Sequence, residues 1–86
     1  MDERERQVWL KRAENGRKYK IAKEIFSKFL EDQRNQFIDK FENSENPQEL
    51  LSISIALRVI KDFKHLMEYE INMGELAEKE LSENGE

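Results

Sequence analysis

Cysteine is absent from this sequence, proline and histidine occur once each, and glycine occurs three times. Without cysteine there is no disulfide framework and no thiolate metal site. So few glycines and prolines do not suit a β-sheet, which needs frequent turns. No uninterrupted apolar run approaches the ~18 residues that span a bilayer. The opening residues, MDERERQVW, carry charges where a signal peptide needs an apolar core. These absences predict one small all-α domain of 86 residues with a cytoplasmic location and no membrane partner.

Charge is plentiful. Asp, Glu, Lys and Arg make up 40% of the chain, with both signs interspersed, and hydrophobic residues make up 37%. The apolar residues recur at helical intervals, so the composition is that of long amphipathic helices and not of a disordered chain.

The stretch NPQELLSISIALRVIKDF (46–63) reads as a helix start. Asn46 can cap, Pro47 suits the first helical position, and Glu49 stands where a capping-box partner would. The short alternation at Ser52–Ile55 resembles a strand, but the apolar positions after it follow a helical period. A helix is expected over about 47–73. On it, Ile53, Ile55, Ala56, Leu57, Val59, Ile60, Phe63, Leu66 and Met67 fill an arc of roughly 200°. His65 lies in the middle of the opposite, polar arc.

A second amphipathic helix is expected over about 18–42. It carries four of the five Phe residues, and Ala22, Ile25, Phe26, Phe29, Leu30, Phe37 and Phe41 share one side. Gln33 lies among them, either at the edge of the stripe or as a polar pair across a dimer axis. The polar turn at 42–46 makes the two helices antiparallel neighbours. Residues 1–16 form either a mobile or separately helical arm ended by Gly16, or the start of one helix running to Phe41. The lack of an N-cap just after Gly16 favours the second. Gly74 could cap or kink the later helix before Leu76, Ala77 and Leu81 resume its spacing. Residues 83–86 are expected to fray. Leu50, Ile53, Leu57, Ile60 and Met67 follow heptad spacing, with Lys64 interrupting it, which suggests a bundle in preference to an extended coiled coil.

An arc that wide exceeds what one companion helix covers. Small chains also bury little of their own surface. The expectation is a homodimer forming a four-helix bundle, with Ile53, Ala56, Val59, Ile60, Phe63, Leu66 and Met67 as the self-association surface. The rival cover is the N-terminal segment folding back over it. A different protein as partner is the remaining option, and Trp9 is the candidate anchor for one.

Charge is uneven along the chain. Residues 1–41 hold 11 Lys/Arg against 8 Asp/Glu, a net of +3, and residues 42–86 hold 4 against 11, a net of −7. Lys11, Arg12, Arg17, Lys18 and Lys20 form the densest basic stretch (11–23). They could contact nucleic-acid phosphates. Antiparallel folding would instead set them against the acidic residues near 66–78, and the acidic total favours that reading over nucleic acid.

No motif for catalysis is present. There is no glycine-rich phosphate loop and no Ser/His/Asp set. Asp62, His65 and Glu68 point outward and lack the Glu-x-x-His order of helical metal sites. The sequence therefore predicts no enzyme activity, no metal and no cofactor.

The tail EYEINMGELAEKELSENGE, after a helical hairpin, resembles the small helical accessory proteins encoded by bacteriophages and prophages. The resemblance covers mostly residues 47–82 and implies a virion-assembly or host-interaction role without catalysis. The reading as a whole is a non-enzymatic interaction or assembly adaptor.

Overall fold

The computed structural model describes residues 1–84. Two helices account for nearly all of them: α1, Glu3–Asn43, and α2, Pro47–Glu83. They lie antiparallel, forming a hairpin with extents of 59 × 21 × 13 Å.

Local chemistry sets each end. Asp2 caps α1, its carboxylate accepting from the Glu5 amide at 2.8 Å. Asn46 caps α2, its side-chain oxygen accepting from the amides of Gln48 at 2.9 Å and Glu49 at 3.3 Å. Pro47 follows at the first turn, where its missing N–H costs nothing. The capping box is half formed. The Glu49 amide is engaged, and the Asn46 amide donates to the Ser44 hydroxyl at 3.3 Å. At the end of α1, the Asn43 side chain donates to the Asp39 carbonyl at 2.8 Å. Only Ser44, Glu45 and Asn46 connect the helices.

Both helices run further than the spans 18–42 and 47–73. Neither Gly16 nor Gly74 breaks its helix. The N-terminal segment is the first third of α1, the favoured of its two expected forms. It does not fold over the apolar arc of α2, because it runs on along the far end of the hairpin beside Gly74. Of the expected frayed tail 83–86, Glu83 closes α2, Asn84 lies in a turn, and the rest falls outside the described residues.

The seam of α2 is built from every seventh residue: Ile53, Ile60, Met67 and Gly74 are all buried. That spacing returns each to the same side of a slightly under-wound helix, as in a left-handed coiled coil. Lys64, the interrupting residue, is only half-buried. Its long stem can line the seam while the ammonium reaches water.

The far end is held differently. Ala13 and Gly16 on α1 meet Gly74 and Ala77 on α2, and all four are buried. A Cβ on Gly16 would lie 2.6 Å from the Gly74 Cα and 3.1 Å from the Glu70 carbonyl oxygen. The backbones themselves are in contact there. Gly is required because the helices approach too closely for any side chain, not because of its backbone dihedrals.

Candidate self-association surface and flanking features

The expected self-association set divides in two. Ile53, Ile60 and Met67 are buried against α1, so they belong to the seam within the chain and are not open to a second one. The reason is their sevenfold spacing, which aligns them with the companion helix. Val59, Phe63 and Leu66 remain exposed, and Ala56 half-exposed, with Val59 at 61%.

These four continue around α2 from the seam. Viewed from the helix N-terminus, they are turned about 50–105° from it in one rotational sense. On α1, Ala22, Phe26 and Phe29 are turned by about the same angle in the same sense from the column of Gly16 and Leu30, which are buried and half-buried. Reversing one helix reverses the sense. In an antiparallel pair, both stripes therefore emerge on one broad side of the hairpin. Phe29, at 57%, is the most exposed of the apolar α1 residues on that side, while Ile25, Ile55 and Tyr69 lie on the outer backs of the helices. Gln33 sits half-buried at the same angle as Phe26.

The α1 contribution was missing from the site expected on sequence. Its signal was present in the phenylalanines of the 18–42 helix, but that helix alone does not reveal which of its sides joins the α2 stripe.

The basic stretch is largely engaged within the chain. Arg17 pairs with Glu78 across the hairpin at 3.0 Å, and Lys18 pairs with Glu14 one turn earlier at 3.1 Å. The Arg12 guanidinium lies 5.1 Å from the centre of the Trp9 ring, within cation–π range. Lys11 and Lys20 are exposed. The candidate partner anchor Trp9 is half-buried and partly covered by Arg12, so it does not project freely.

The opposite broad side is mostly polar, with the exposed Leu51 in the helical column of Arg58 and His65. It carries an open groove of about 840 Å³ lined by residues of both helices, His65 among them. Among the described residues, no group of three or more His, Asp and Glu side chains is placed to hold a metal ion. Among the same residues, no helix is long and apolar enough to cross a membrane. No family model, no curated protein and no solved structure matches this chain.

Proposed function

We propose that the chain is a non-catalytic helical module that pairs with a second copy through the apolar broad side, giving a four-helix bundle that serves as an interaction or assembly adaptor. The cluster of exposed apolar residues from both helices on that side carries this reading. Phe26, Phe29, Val59, Phe63 and Leu66 lie together there, between 38% and 61% exposed. At about half of a large side chain's ~200 Å², each leaves on the order of 100 Å² in water. Together the five offer roughly 500 Å² of contiguous apolar surface. A contiguous apolar patch of that size on a soluble protein is often a functional contact surface.

A second copy suits the surface because the match is automatic. A two-fold axis places the same stripes against each other, with Phe rings from both hairpins interleaving. A cytoplasmic setting is part of the same proposal. The tail's resemblance to phage and prophage accessory proteins extends it to an assembly role of that kind. Nucleic-acid binding through residues 11–23 has weaker support, since Arg12, Arg17 and Lys18 already have partners within the chain.

Sedimentation equilibrium tests the proposal. The expected mass at tens of micromolar is twice that of the chain. Val59→Glu, at an exposed position that leaves the seam intact, should return the mass of one chain with helicity retained. A wild-type protein that stays monomeric over that range overturns the reading.

A further inference from the structure

The groove on the polar broad side is independent of the self-association surface. Its volume, about 840 Å³, falls within the range of small-molecule sites. Arg34 from α1 and Arg58, Lys61 and Lys64 from α2 line it. Ile38 and Leu57 give it an apolar floor, both half-buried. Two carboxylates, Asp62 and Glu68, also line it, so four cations against two anions leave a net of +2. The chain as a whole carries −4.

None of the four cations lies within ion-pair distance of a carboxylate among the described residues, whereas Arg17, Lys18 and Lys79 all do. The groove thus concentrates cations that the fold has not neutralised. They sit over a hydrocarbon floor, where an anion is less well screened than on an open surface.

We propose that this groove binds a small ligand carrying two or more phosphate groups. The two guanidiniums offer forked donors that match phosphate oxygens, and the two lysines add point charges. Arg58 and Lys64 lie about 9 Å apart along the helix, too far for one phosphate to serve both and close enough for a linked pair or triple. Ile38 and Leu57 can carry an uncharged body. The cationic run ends within two turns, so it suits a compact polyanion and not an extended strand, which needs a longer track of charge.

Isothermal titration with inorganic tripolyphosphate, at about 50 mM salt to limit screening, tests this. Saturable binding of one ligand per chain is expected, and orthophosphate should bind more weakly. Arg58→Gln/Lys61→Gln should weaken tripolyphosphate at least about tenfold, with circular dichroism confirming an intact hairpin. Lys11→Gln/Lys20→Gln, removing the same charge from the distant basic stretch, should change affinity by less than about twofold. Absence of saturable binding overturns the proposal. So does an equal loss in both double variants, which would mean general charge attraction. Binding of a short single-stranded oligonucleotide with no saturable response to tripolyphosphate overturns it as well, in favour of a nucleic-acid surface.

Discussion

Gly16 and Gly74 face each other across the hairpin so closely that a Cβ on either would lie 2.6 Å from the other's Cα. The contact joins the first third of α1 to the last third of α2 and has no side chain in it. Two effects compete when either glycine is replaced. Gly→Ala in a helix interior is intrinsically favourable by about 1 kcal/mol. Inserting a methyl where backbone meets backbone costs about 1–3 kcal/mol, since the obstruction is main chain and cannot rotate aside. The obstruction should dominate. Gly16→Ala and Gly74→Ala should each lower stability to urea, measured by circular dichroism. The double variant should cost less than the two singles combined, because the helices need separate only once. A stabilised Gly16→Ala would contradict the close approach.

The buried seam supplies a second expectation. Met67 is 2% exposed and Ile60 8%. Truncation of either to Ala should destabilise by about 2–5 kcal/mol. Ser54 and Arg58, exposed on the same helix, should tolerate Ala to within about 0.5 kcal/mol. Equilibrium unfolding of the four variants would separate the two classes. Similar losses at all four positions would mean that the seam has been misplaced.

Arg17 and Glu78 provide a charge test. Both side chains are more than 45% exposed, Arg17 at 65% and Glu78 at 49%. Solvent screens such pairs, so each single charge reversal should cost about 0–1 kcal/mol. The swapped double variant, Arg17→Glu with Glu78→Arg, should recover most of that loss. The recovery should shrink in high salt as screening increases. A double-mutant cycle with no coupling at low salt would show that the bridge contributes nothing to the antiparallel pairing.

Asn46 is the single capping side chain at the start of α2, accepting from two amides. Asn46→Ala should cost about 1 kcal/mol, and Asn46→Asp should retain most of the stability. Thermal unfolding at matched protein concentration is the measurement. Matching matters because a self-associating chain gains apparent stability as its concentration rises.

The turn was the most legible part of the sequence. Asn46, Pro47 and the polar run before them place it within a residue or two, and two antiparallel helices follow from it. The ends of the helices were harder to read. Gly16 and Gly74 look like stops because glycine is a poor helix former, yet each is buried inside its helix. What rescues them is the opposing backbone, which no local window contains. A clue did exist: the two glycines lie equally far from Glu45, as Ala13 and Ala77 also do, which is the pairing an antiparallel hairpin would impose.

The apolar arc of α2 was legible as an arc but not in its division. Periodicity shows that Ile53 and Val59 are both on the greasy part of the helix. It does not say that Ile53 meets α1 while Val59 is left exposed, because that depends on the rotation α2 adopts against its neighbour. The groove cations were unreadable for a similar reason. Arg34 is far in sequence from Arg58, Lys61 and Lys64, and only the hairpin brings it beside them.

Clustering of Phe26, Phe29, Val59, Phe63 and Leu66 on one flank also bears on growth. A ribbon sticky on both flanks would add copies without end and tend toward fibres. Under the proposed pairing, docking a twin would use up the clustered surface that could recruit a third molecule, and assembly would halt as a closed pair.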